Sequence, residues 1–147
     1  MKHFQDLQVL TTHTKANLAT LEFKIDKGLI TWVGVFFPAG CHALVYARVF
    51  FQAHQILPRD PDQWCHGNDG WWGGDLYFPI TAEPLKVKVE GWSNSCTYNH
   101  VITIGLEVTP WRYIPAWDKL VSLWKAFMNF IGAPIPEPTA EEEMMEK

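Results

Sequence analysis

Nowhere does the chain hold the roughly 18 consecutive apolar residues that a membrane-spanning helix requires, so no such span is expected. Residues Met1 to Leu10 are mixed polar and lack the apolar h-region of a secretory signal, so none is expected there. Cysteine is sparse: Cys41, Cys65 and Cys96 are the whole set. An odd count without CxxC spacing excludes a disulfide framework and leaves reduced, partly buried thiols as the expectation. CxxC, HxxxH and HExxH are all absent. Cys65, His66, Asp69 and Asp75, with Cys41, His42 and His54 elsewhere, therefore lack the ligand spacing of a zinc site. Asp60, Asp62, Asn68 and Asp69 do not follow EF-hand spacing and read as solvated turn residues. No metal and no cofactor is expected.

A basic excess is missing too. The net charge of −4 sits wholly in the tail, where Glu137, Glu141, Glu142, Glu143 and Glu146 stand against Lys147. The remainder balances at 11 acids and 11 bases. A neutral body has no electrostatic footprint for a phosphate backbone, so nucleic acid is not an expected partner.

What the chain does have is apolar and aromatic mass. Apolar residues make up 48 % of the 147 and aromatics 14 %, with eight tryptophans. That composition excludes disorder for the body and suits one domain with a real core. Tryptophan favours places with one apolar and one wet edge, and eight exceed what a core of this size needs. Some are expected on a contact surface.

Period-2 alternation dominates up to Pro110. Ala19, Leu21, Phe23 and Ile25 fall on one face, with Thr20, Glu22, Lys24 and Asp26 on the other. Asp26-Lys27-Gly28 supplies turn chemistry, with Gly28 suited to positive φ. Leu29 to Phe37 is apolar on both faces and is expected to be central or covered on both sides. Ala43 to Ala53 alternates; its Arg48 needs a partner if buried and is expected to face outward or an interface. Leu76 to Ile80 reads as a short strand broken by Pro79. Leu85, Val87 and Val89 point inward in the next strand, as do Ile102, Ile104, Leu106 and Val108 in the last. Six or seven strands without βαβ alternation predict an all-β fold, an antiparallel β-sandwich of jelly-roll or immunoglobulin type. Residues 1–17 read as an N-terminal arm or a short edge strand near Leu7 to Leu10, and residues 18–110 as the sandwich.

After Pro110 the period changes. Residues 111–133 form a helix segment, with Pro115 near its start and Gly132 and Pro134 at its end. Asp118, Ser122, Lys125 and Asn129 make one narrow polar stripe. Trp117, Leu120, Trp124, Phe127 and Phe130 lie on the wide apolar remainder. A groove of its own domain, a neighbouring subunit or larger partner, and a membrane interface are three ways to cover such a face. Burial against a partner fits best, because two lysines beside an acidic tail match anionic lipid poorly. Residues 134–147 form an extended acidic tail.

Pro58 to Asp75, PRDPDQWCHGNDGWWGGD, reads as one long loop with a contact or functional role. Trp64, Trp71 and Trp72 share it with Asp62, Asn68 and Asp69. Aromatic faces beside amides and carboxylates suit a glycan, the alternative to packing against a protein. Asp69 and Asp75 are acids in a Gly-rich loop, where acids are commonplace, and no Cys/His spacing sets a catalytic geometry. No enzyme is expected.

The stretch from Gly34 to Pro110 runs FPAGC, a strand, HQILPRDPDQW, an acidic Gly-rich loop, FPITAEPLKVKVEGW and YNHVITIGLEVTP. In that outline it resembles small jelly-roll or β-sandwich proteins of bacteriophage virions. The resemblance implies a capsid, decoration or tail-associated role with symmetric copies, and transfers no functional residue. The expectation is therefore a structural, self-assembling subunit or docking protein, located in a virion particle. Other copies of itself or another particle protein are its partners. The contact residues are Trp117, Leu120, Trp124, Phe127 and Phe130 on the helix, with Trp64, Trp71 and Trp72 in the loop.

Overall fold

The computed structural model describes residues 1–113 and 117–130. The chain divides into two units, Met1–Trp111 and Arg112–Lys147. The first is mostly strand: β1 (Lys2–Val9), β2 (Ala19–Lys24), β3 (Gly28–Phe37), β4 (Val45–Phe51), β5 (His54–Leu57), β6 (Cys65–His66), β7 (Gly70–Ile80), β8 (Lys86–Ser93) and β9 (His100–Thr109). A single 3₁₀ turn, Trp111–Tyr113, follows Pro110. The described part of the second unit holds α1, Trp117–Phe130. No helix among the described residues is long and apolar enough to cross a membrane.

The strands form two antiparallel sheets. The first has the order β1-β9-β3-β7, the second β2-β8-β4-β5, with β6 beside β4. The inner faces meet in a core built from the alternating positions of nearly every strand. Ile30, Val35 and Phe37 of β3, Val45 and Val49 of β4, Val87 and Val89 of β8, and Ile102, Ile104 and Val108 of β9 are all fully buried. β3 is central, between β9 and β7, as its two apolar faces require.

Three segments depart from the sequence reading. Residues 1–17 contain a full edge strand, β1, paired with β9 from Lys2↔Glu107 to Val9↔His100. Its inward alternation is weak because His3 and Gln5 take positions next to Leu7 and Val9, so the pattern looked polar. The expected long loop is shorter than Pro58 to Asp75: β6 interrupts it, and β7 begins at Gly70 and runs without a break through Pro79. Proline is tolerated there because β7 is an edge strand. Gly28 opens β3 at an ordinary φ, not in a positive-φ turn. It is needed for close approach, since a Cβ there would sit 2.4 Å from the Thr109 carbonyl oxygen.

The three thiols are free, Cys41 and Cys65 buried and Cys96 half-buried. The Cys65 Sγ donates to the Ala47 carbonyl at 2.9 Å. Burial pushes its pKa up to about 12 and that of Cys41 to about 11, so neither is a thiolate at neutral pH.

Candidate functional site

A solvated antiparallel sheet ordinarily carries polar residues on its outer face. The first sheet does so only in part: Asp6 accepts a hydrogen bond from Thr103 on that face, and next to them the face is apolar. Phe4 stands opposite Gly105, Gly105 opposite Gly34, and Gly34 opposite Gly73, so three glycines lie side by side across the sheet. Indoles fill the trough. A Cβ on Gly34 would meet Cη2 of Trp32 at 2.6 Å, and one on Gly105 would meet Cζ3 of the same ring at 2.8 Å. Trp71 closes over both from β7. It packs edge-on to Trp32 with centroids 5.4 Å apart, tilted to Phe36 at 5.5 Å, and edge-on to Phe4 at 6.2 Å. Phe4 and Trp71 stay about half exposed. The result is a four-ring apolar patch, seated on glycine and open to solvent.

The outer face of the second sheet is built differently. Tyr46 and Trp92, cross-strand partners, stack at 4.4 Å and 10°. The Arg48 guanidinium lies 4.2 Å over the Trp64 ring and donates to Glu90 through Nε at 2.8 Å and Nη2 at 2.7 Å. Lys88 reaches the other Glu90 oxygen at 2.7 Å. Glu90 is buried, which pushes its pKa up. The hydrogen bonds and charges of Lys88 and Arg48 outweigh that and hold the carboxyl below its ordinary value of 4.5. A carboxyl lowered on folding binds fewer protons in the native chain than in the unfolded one. Its contribution to stability is whole above about pH 4.5 and is lost as pH falls through the lower folded value. Thermal melts from pH 7 to pH 3 are expected to show that acid loss, and Glu90→Gln is expected to flatten it. An unchanged acid limb in the variant would assign the loss to other carboxylates.

The structure does not bring the three loop tryptophans together. Trp64 belongs to the second sheet's network, 6.1 Å from Trp92 at 86°. Trp71 belongs to the first sheet's patch. Trp72 pairs with Val35, whose side chain is in the core, so it turns to the inner side of β7. The polar members are turn-formers. Asp62 and Asp69 hold positive φ, and the Asn68 Oδ1 accepts the His42 amide at 2.9 Å. No group of three or more His, Cys, Asp or Glu among the described residues is placed to hold a metal ion.

On α1, Leu120, Leu123, Trp124, Phe127 and Phe130 are 52 % to 89 % exposed, and Trp124 and Phe127 pack on each other at 6.1 Å. Trp117 begins the helix, but its side chain lies outside the described residues. The tail assignment, residues 134–147, lies outside them as well. Phe4, Trp32, Phe36 and the glycine row escaped sequence reasoning. The available signal was a strand apolar on both faces, Leu29 to Phe37, which demands a cover for its second face.

No family model, curated protein or solved structure matches this chain.

Proposed function

We propose that the chain is a structural subunit or docking protein of a larger particle, a phage virion in this reading, with other copies or another particle protein as partners and no catalytic role. The observation that carries this reading is the amount of large apolar surface left open. Phe4, Trp71, Trp72 and Tyr77 on the sandwich are 40 % to 75 % exposed, and in the second unit five large apolar side chains of α1 are exposed as well. Large exposed apolar side chains, in contact with one another at Phe4 and Trp71, mark an interaction site. The strand order β1-β9-β3-β7 against β2-β8-β4-β5 supports a jelly roll, an architecture common in viral capsids, although lectins and cupins share it. The resemblance of Gly34 to Pro110 to phage virion proteins supports the kind of particle.

Light scattering over a range of concentrations tests this. A defined oligomer or larger particle is expected. Trp124, 56 % exposed on α1, serves as an aromatic anchor in this reading. Trp124→Asp is therefore expected to abolish assembly while the β-sheet circular dichroism stays unchanged. Assembly that survives in the variant would remove α1 from the joint. A monomer at every concentration would overturn self-assembly.

A further inference from the structure

An edge strand shows unpaired N–H and C=O groups, and proteins protect such edges with brevity, charge, proline or bulges. Three of the four edges here follow that rule. β1 carries Lys2 and Asp6. β2 has six residues and carries Glu22 and Lys24. The remaining margin of the second sheet consists of β5, four residues long, and β6, two residues long. β7 is the exception from Gly70 to Gly74; beyond that, Arg59 reaches its edge at Asp75 and its ladder with β3 shifts register between Asp75 and Phe78. It is the longest strand, at 11 residues, and among the described residues it pairs only with β3. It has no lysine or arginine, one carboxylate at Asp75, and its single proline near the end at Pro79. Its exposed run, Trp71 to Asp75, is bare backbone at Gly73-Gly74, with two indoles before it and Asp75 after it.

We propose that β7 pairs antiparallel with β7 of a second copy of this chain, about a two-fold axis at Gly74, joining the two first sheets into one. The proposal rests on the assembly reading above and names the partner. Four observations select this occupant and register. Directly opposed residues of an antiparallel pair share a face, which restricts a symmetric centre to a residue position. Centring on Gly74 sets Trp71 against the partner's Tyr77 on the outer face and Trp72 against the partner's Leu76 on the inner face. Both are apolar pairs of the kind that stabilise sheets. Asp75 meets the partner's Gly73, so the only charge of the strand never faces its own copy. Among the described residues a Cβ on Gly74 would meet nothing within 4 Å, and Trp72 is 40 % exposed on a side that faces the core elsewhere, so the inner flank is open as well as the edge.

The hydrogen-bonding groups point the right way. The Arg59 guanidinium donates to the Asp75 carbonyl, so that oxygen is turned from β3. By the alternation of an antiparallel ladder, Trp71 and Gly73, in the part of β7 that keeps one register with β3, turn their main-chain groups to the same free edge. A carbonyl has two lone pairs, so Asp75 accepts the partner's Gly73 amide beside Arg59. The paired sheet also sets both aromatic patches on one side, since Trp71 belongs to the patch and to the edge.

Gly74→Lys tests the proposal in the full chain. Open space at the Cβ and an ordinary φ leave the single chain unstrained, while the symmetric pair would face two ammonium groups across the axis. Sedimentation velocity over a concentration series is expected to show association weakened by at least about tenfold. Hydrogen exchange is expected to show the amides of Trp71, Gly73 and Asp75 protected in the wild-type oligomer and released in the variant. Tyr77→Asp, at a side chain 75 % exposed, gives the same answer should Gly74→Lys fold poorly. An oligomer unaffected by either change, with those amides exchanging freely, overturns β7 pairing and leaves the assembly reading standing. A wild-type monomer at every concentration overturns both.

Discussion

Gly73→Ala is expected to destabilise the sandwich by about 3 kcal/mol, at the upper end of the usual cost of forcing volume into a packed site. The added Cβ would lie 2.2 Å from the Val33 carbonyl oxygen, 2.4 Å from Cα of Gly34 and 3.0 Å from the Val33 carbonyl carbon. All three are backbone atoms, so no rotamer change relieves the clash. Either β7 retreats from β3 or β3 shifts, and β3 is the central strand whose Val33 and Val35 fill the core between the sheets. Neighbouring Gly74 is the internal control: with nothing within 4 Å of its Cβ, Gly74→Ala is expected to stay within about 0.5 kcal/mol of wild type. Urea denaturation of the two variants reads the contrast directly. Equal midpoints would mean that β3 and β7 are further apart than the glycine row requires.

That pair of glycines shows why part of the fold was legible and part was not. Val87 and Val89, or Ile102, Ile104, Leu106 and Val108, announce strands because every second residue is a branched or leucine side chain, and all are buried where the alternation puts them. Leu29 to Phe37 announced a strand with two apolar faces, and that strand is central. Gly70 to Asp75 gave the opposite impression. Glycine and aspartate are turn formers by local preference, and nothing within the segment favours extension. It is a strand because β3 offers an unpaired side whose outer face is itself glycine at Gly34, so only a strand lacking a Cβ at Gly73 can lie so close. Tertiary context overrode propensity, and a one-dimensional pattern does not carry it.

The site was legible in residue type and not in arrangement. Trp71 and Trp72 are neighbours in sequence, but in a strand consecutive side chains leave by opposite faces. One joined the outer patch while the other turned inward. Trp64 precedes β6, which pairs with β4 in the other sheet, and so it was carried to the far side of the sandwich. That Arg48 needs a partner if buried was readable from its place in an apolar strand, as was its outward direction. The identity of that partner was not, because Glu90 is 42 residues away and meets it only through the Arg48↔Glu90 pairing of β4 with β8.

Arg48→Ala is expected to cost about 2 to 3 kcal/mol, below the 3 to 5 kcal/mol of breaking a fully buried ion pair. Three losses add up. Glu90, 7 % exposed, gives up two charge-assisted hydrogen bonds and keeps only Lys88, whose side chain is 41 % exposed and partly screened by water. The Trp64 ring loses the guanidinium 4.2 Å above it, and the Phe50 ring loses the same group at 5.0 Å. Arg48→Lys is expected to recover less than half of the cost. An ammonium cannot reproduce both the planar stack on Trp64 and the two-atom grip on the carboxylate. A double-mutant cycle with Trp64→Ala separates the terms. Coupling near 1 kcal/mol between the two sites is expected if the cation–π contact is energetic, and additivity would place the whole effect in the Glu90 pair. Either result fixes what holds Trp64 against the second sheet, and hence whether that indole is structural covering or a face free to take a ligand.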